Sequence, residues 1–227
     1  MSATLPPVIA VDGPSASGKG TVARKVAEAL GFHFLDSGAL YRLVALAAID
    51  KGLNLENASD VADIARNLKV KFEGESIQLE GREVSTAIRE EHIGAAASRV
   101  AALAPVREAL LERQRAFREL PGLVADGRDM GSVVFPDATL KIFLTADAAE
   151  RARRRYKQLM EKGLNASMNA LLQEIHERDA RDSGRAASPL QKCADAIELD
   201  TTSVSVEAAV ERVLALFDER APETEAP

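Results

Sequence analysis

Residues 8–25, VIAVDGPSASGKGTVARK, constrain this chain more than any other stretch. A β-branched run (VIAV) gives way to a glycine-rich turn and then to helical periodicity. Val22, Val26, Ala29 and Leu30 share one helical face, and Gly31 stops the helix. Gly13, Gly18 and Lys19 have the spacing of a phosphate-binding loop, in which backbone N–H groups and a helix N-terminus face a phosphate chain. The match is imperfect, because Gly20 stands where Ser or Thr is usual and Thr21 comes one residue late. A buried strand feeding such a loop and helix belongs to a parallel sheet. The chain is therefore committed to the α/β class.

Four further strands are expected at residues 32–38, 122–129, 139–147 and 195–202. Helices are expected over 39–52 (closed by Gly52), 59–68, 93–120 with a break at Pro105, 147–163, 168–182 and 206–220. Residues 69–84, KVKFEGESIQLEGREV, alternate polar and apolar and predict a small antiparallel meander. The tail 221–227 is expected to fray. Strands alternating with helices imply a central, mostly parallel sheet of five strands covered on both faces, with the meander and the charged helical pair as excursions from it.

Apolar residues are 46% of the 227, enough for a full core. The formal charge of −6 and the 4% aromatic content argue against nucleic acid as the main partner, despite the basic run RARRRYK at 151–157. Cys193 is the only cysteine, which excludes an internal disulfide and a thiolate metal cluster. His33, His92 and His176 show no ligand spacing. The N-terminus lacks the basic region and long apolar run of a secretory leader, and no uncharged stretch reaches the roughly 18 residues of a membrane span. A cytoplasmic protein is expected.

Three other segments collect groups suited to phosphate chemistry. In LDSGALYR (35–42), Ser37 opens a helix and Arg42 follows, a pattern that also suits a plain N-cap with a solvated arginine. In VADGRDMG (124–131), Asp126, Arg128 and Asp129 lie at the carboxyl end of a strand, where ligands collect in open α/β sheets, although they also suit a structural ion-pair knot. In ERDARDSGR (177–185), Arg178, Asp182 and Arg185 share a face if the helix persists through Gly184, as a solvated charged face would too.

Taken together, DGPSASGKGT, LDSGALYR, the segment 106–138 and ERDARDSGR resemble the nucleoside monophosphate kinases, and within them the bacterial cytidylate kinases. The resemblance spans nearly the whole chain and includes the late threonine, since loops of this superfamily commonly end Gly-Lys-Gly-Thr. It implies a single P-loop kinase domain over 1–227, with an acceptor-binding region near 38–120 that contains the meander, and a short helical lid near 151–185. It implies transfer of the γ-phosphoryl of ATP to CMP or dCMP by a cytoplasmic monomer that needs neither nucleic acid nor membrane. ATP would be held by Gly13, Pro14, Ser15, Ala16, Ser17, Gly18, Lys19, Gly20 and Thr21, with Arg154 from the lid. Lys19, Arg128, Arg178 and Arg185 would carry catalysis. Ser37 and Arg42, with those three arginines, would meet the acceptor phosphate or the group in flight. Asp182 would contact the ribose, and Ser98, Arg107 and Asp129 the cytosine. Mg²⁺ would accompany ATP, with no protein ligand assigned beyond Thr21 as a candidate. A kinase for another small acceptor, or a non-catalytic ATP-binding switch, remains the alternative.

Overall fold

The computed structural model describes residues 5–220 apart from 75, 162 and 164. The tail 221–227 lies outside them. In chain order the elements are β1 (Val8–Asp12), α1 (Lys19–Leu30), β2 (His33–Asp36), α2 (Ser37–Asp50), α3 (Ala58–Arg66), β3 (Val70–Glu73), β4 (Ser76–Leu79) and β5 (Arg82–Glu83). They continue with α4 (Glu91–Val100), α5 (Ala104–Arg115), β6 (Leu123–Gly127), β7 (Leu140–Thr145), α6 (Ala148–Glu161), α7 (Met168–Gly184), β8 (Ile197–Asp200) and α8 (Val206–Asp218). These elements divide into two compact units, one made of residues 1–35 and 117–227, the other of 36–116.

The larger unit holds a five-stranded sheet in the order β2-β6-β1-β7-β8. β1 pairs in parallel with β6 (Val8 opposite Leu123, Asp12 opposite Gly127) and with β7, which pairs in parallel with β8. β1 is central and every residue of it is buried, which explains its continuous apolar run. Val22 and Val26 of α1 and Val213 and Phe217 of α8 close over Ile9, Ile142 and Leu144. Each such side chain contributes about 1.5–3 kcal/mol on full burial. Parallel pairing brings the carboxyl ends of β1, β6 and β7 to one edge, and the glycine-rich loop leaves β1 at that edge.

In the smaller unit α2 packs on α3 and α4, and α3 on α5, burying Leu40, Leu43, Val61, Ile93 and Leu110. The expected meander is present as the three-stranded sheet β3-β4-β5, antiparallel throughout. The helical stretch expected over 93–120 is interrupted as expected, but the break lies just before Pro105 and the second helix ends at Arg115. α4 ends at Val100 and α5 starts at Ala104, so Pro105 falls in the first turn of α5, where its missing N–H has no partner to lose. The proline opens a helix there.

Candidate active site

The loop between β1 and α1 has the geometry that its glycines foreshadow. Gly13 has φ +154°, and a Cβ there would stand 2.0 Å from the Leu144 carbonyl oxygen, so β7 leaves room only for glycine. Ala16 has φ +58° and Gly18 φ +92°. Such a conformation costs a non-glycine residue about 1–3 kcal/mol, so Ala16 must be held by its surroundings. Ser17 Oγ donates to the Pro14 carbonyl at 3.0 Å. Lys19 Nζ folds back to donate to the same carbonyl at 3.3 Å and stands 3.7 Å from Asp126 Oδ1. Only 9% of Lys19 is exposed, so its charge acts inside the loop.

Gly20 has a physical reason. A Cβ at this position would lie 2.9 Å from Asp126 Oδ2, so a side chain here would have to displace the carboxylate at the end of β6. Thr21, displaced by one residue, is exposed in the first turn of α1.

Beside Asp126, the end of β6 turns into a short π-helical segment, Met130–Val134, which the sequence pattern did not signal. Asp12 pins this turn, because its buried carboxylate accepts the backbone N–H groups of Met130 and Gly131, both at 2.8 Å. Burial pushes the Asp12 carboxyl up to about 6, against the two hydrogen bonds and with a further push from Asp129 and Asp126. Asp129 itself is buried at the head of the turn.

Arg128 donates through Nε to Asp182 Oδ2 at 2.9 Å and through Nη1 to the Gly127 carbonyl. Asp182 is 6% exposed, on α7. Its burial raises the carboxyl pKa, but the charge and hydrogen bond of Arg128, with the charges of Arg178 and Arg185, outweigh burial and hold it below the usual carboxylate range. Three of the arginines singled out from sequence therefore act on one carboxylate. The helix persists to Gly184, as sharing a face required, but Arg185 is its C-cap in extended conformation and donates through Nε to the Ser188 carbonyl at 2.6 Å. Arg154, on α6, donates through Nη1 to the Ser17 carbonyl at 3.0 Å and through Nε to Glu150 at 2.8 Å, with Nη2 on the Thr201 carbonyl.

The remaining predicted residues lie in the smaller unit. Ser37 is not the cap of α2: Asp36 takes that place, its Oδ1 accepting the Ala39 N–H at 3.0 Å, and Ser37 is buried one position later. Arg42 donates to the Ile88 carbonyl at 2.8 Å and crosses α4 at Gly94, where a Cβ would stand 3.0 Å from its Nη2. Arg107 donates to the Ala101 carbonyl at 3.0 Å, and its guanidinium lies 5.5 Å from the Tyr41 ring centroid. The Ser98 hydroxyl is buried in α4 with no hydrogen-bond partner among the described residues. Sequence reasoning missed Asp12, Arg151, Thr201 and Gly94. Only Asp12, an acid ending a buried strand directly before the loop glycine, carried a local signal.

With the geometry in place, comparison with known proteins adds the lineage. The family model described as cytidylate kinase matches residues 9–219. A cytidylate kinase from Nitrosomonas eutropha is 60% identical over 211 residues, covering 93% of this chain and 94% of the relative. One from Pseudomonas aeruginosa is 59% identical over 214 residues (92% and 93% covered), and one from Bordetella pertussis 57% over 213 residues (94% and 96%).

Proposed function

This chain belongs to the cytidylate kinase family, and we propose that it transfers the γ-phosphoryl group of ATP to CMP or dCMP, giving ADP and CDP or dCDP. The observation that carries this reading is the Arg128–Asp182 ion pair, 2.9 Å long, with Arg178 on α7 and Arg185 at its C-cap, in the same unit as a phosphate-binding loop with a buried lysine. An ATP-binding switch has no use for such a set.

In the reaction an acceptor phosphate oxygen attacks the γ-phosphorus as its bond to the bridging oxygen of ADP breaks, and negative charge spreads over the equatorial oxygens. The protein's share is positioning and electrostatics. Residues 13–21 cradle the ATP phosphates through backbone N–H groups, and Lys19 neutralises charge on the group in transfer. Arg128, Arg178 and Arg185 hold the acceptor phosphate and the group in flight, because a guanidinium stays charged and binds phosphate bidentately. Before substrate arrives, Asp182 screens their mutual repulsion; with CMP bound it takes the ribose. Ser37 and Arg42 bind the acceptor phosphate, Arg154 the ATP. Ser98, Arg107 and Asp129 read cytosine: a carboxylate accepts from its amino group and a guanidinium donates to its ring nitrogen. A buried hydroxyl with no partner among the described residues, as at Ser98, is suited to a ligand's hydrogen bond.

Mg²⁺ would accompany ATP. The chain offers it hard oxygens, the Asp126 carboxylate reaching the loop over Gly20 and the Thr21 hydroxyl, which suits an ion held chiefly by phosphates and water. Bound there, it would supply neutralisation of negative charge on the ATP phosphates. Among the described residues no cluster of three acidic, His or Cys side chains competes for it. The substrates are small molecules and the working form is a cytoplasmic monomer. Among the described residues no helix is long and apolar enough to cross a membrane.

The test is ADP production with CMP, dCMP, UMP, AMP and shikimate as acceptors. CMP should exceed UMP by at least about a hundredfold in kcat/KM, since uracil inverts two hydrogen bonds at about 1–3 kcal/mol each. Asp129→Ala should shrink that ratio by harming CMP. ATP binding with no acceptor turned over would overturn the reading.

A further inference from the structure

The outer side of the phosphate-binding loop is gripped by the helix that opens the charged hairpin. Arg151 and Arg154, one turn apart on α6, each donate to a loop carbonyl: Arg151 Nη1 to Ser15 at 3.2 Å and Arg154 Nη1 to Ser17 at 3.0 Å. Between those two carbonyls lies Ala16 in the left-handed conformation, the one strained non-glycine residue of the loop. The peptide unit is planar and trans, so its C=O and N–H point in opposite directions. Drawing the Ser15 carbonyl outward therefore turns the Ala16 N–H inward, and the Ser17 carbonyl does the same for the Gly18 N–H.

Arg151 is the better fixed of the two. It is only 5% exposed. Its Nε donates to the Ala146 carbonyl at 2.9 Å, while Nη1 and Nη2 grip both oxygens of Asp179 on α7 at 3.1 and 2.5 Å. A guanidinium committed to the turn between β7 and α6, to α7 and to the loop at once has a fixed direction. A lysine has the charge but not the fork to make all of these contacts together.

We propose that Arg151, locked by Asp179, is a positioning residue for ATP: it holds the Ser15 carbonyl outward, so that the Ala16 N–H faces the phosphate chain. The α6–α7 hairpin thereby sets the geometry of the loop. This rests on the reading that the loop binds ATP, and it assigns to Arg151 no contact with either substrate.

The experiment compares wild type, Arg151→Lys, Asp179→Asn and the double variant. Steady-state kinetics with ATP and CMP varied separately are combined with calorimetric titration of a non-hydrolysable ATP analogue in the absence of CMP. Misaiming a group by a fraction of an ångström is worth on the order of tenfold or more. Each single variant should raise KM for ATP and Kd for the analogue by about tenfold and change KM for CMP less than twofold, and the double variant should be no worse than the worse single one. A folded single variant that keeps its ATP constants within twofold of wild type overturns the proposal, as does an equal rise in both KM values. Should Arg151→Lys fail to fold by thermal unfolding, Asp179→Asn alone decides on the same criteria, because Asp179 is more exposed and the substitution keeps its shape. Failure of wild type to bind the analogue would instead overturn the ATP reading, and this proposal with it.

Discussion

The buried carboxylate of Asp12 makes stability fall as pH rises, and Asp12→Asn isolates the effect. Its folded pKa is raised from 3.8 to about 6, chiefly by burial. The folded protein therefore holds a proton that the unfolded chain releases earlier, so the contribution is complete below pH 3.8 and is lost as pH climbs through 6. A difference of about 2.2 pH units at 1.36 kcal/mol each amounts to about 3 kcal/mol in full, of which about 2 kcal/mol falls between pH 4.5 and pH 8. Asparagine removes that titration. It also keeps only one acceptor for the Met130 and Gly131 N–H groups and sets its own amide N–H₂ against the other, a pH-independent cost of about 1–3 kcal/mol. The variant should thus be less stable than wild type at pH 4.5 and match or exceed it at pH 8. Urea unfolding with linear extrapolation at pH 4.5, 6 and 8 measures this directly. A stability difference between the two proteins that stays constant to about 0.5 kcal/mol over that range would refute the reasoning.

Lys19→Met should fold yet lose more than tenfold in kcat, at least about 1.4 kcal/mol of barrier; a smaller loss in single-turnover assays removes Lys19 from the catalytic set. Ser98→Ala deletes a buried hydroxyl that has no partner among the described residues, so urea unfolding should show unchanged stability or a gain of up to about 1 kcal/mol, while KM for CMP rises and KM for ATP does not. A clear loss of stability would mean that Ser98 holds the fold. Asp182→Asn strips the carboxylate from among Arg128, Arg178 and Arg185 and should cost about 3–5 kcal/mol, read as a lower midpoint in urea. Because the Asp182 pKa is depressed, its stabilisation is present above pH 3.8 and disappears as pH falls through its folded value, so the variant should lack that part of the acid transition.

Local periodicity was enough to locate nearly every element. The run Val8–Asp12 suited a buried strand, the Val22/Val26 face an amphipathic helix and the alternation over 69–84 a meander, and each is found, because period and turn chemistry act between residues close in sequence. The glycine spacing also marked the loop, and the resemblance supplied the family. Ser37 opens α2 and the helical stretch breaks beside Pro105, but which residue caps and where the second helix starts depend on one residue's φ and ψ, which a pattern several residues wide does not resolve. The placement of charge was decided by the tertiary structure. That β6 lies beside β1 is what brings Asp126 over Gly20 and next to Lys19. Asp182 meets Arg128 across 54 residues, and Arg151 meets the Ser15 carbonyl across 136. No spacing rule reaches that far, because such contacts exist only once the sheet order and the packing of the hairpin have brought distant segments within hydrogen-bonding distance.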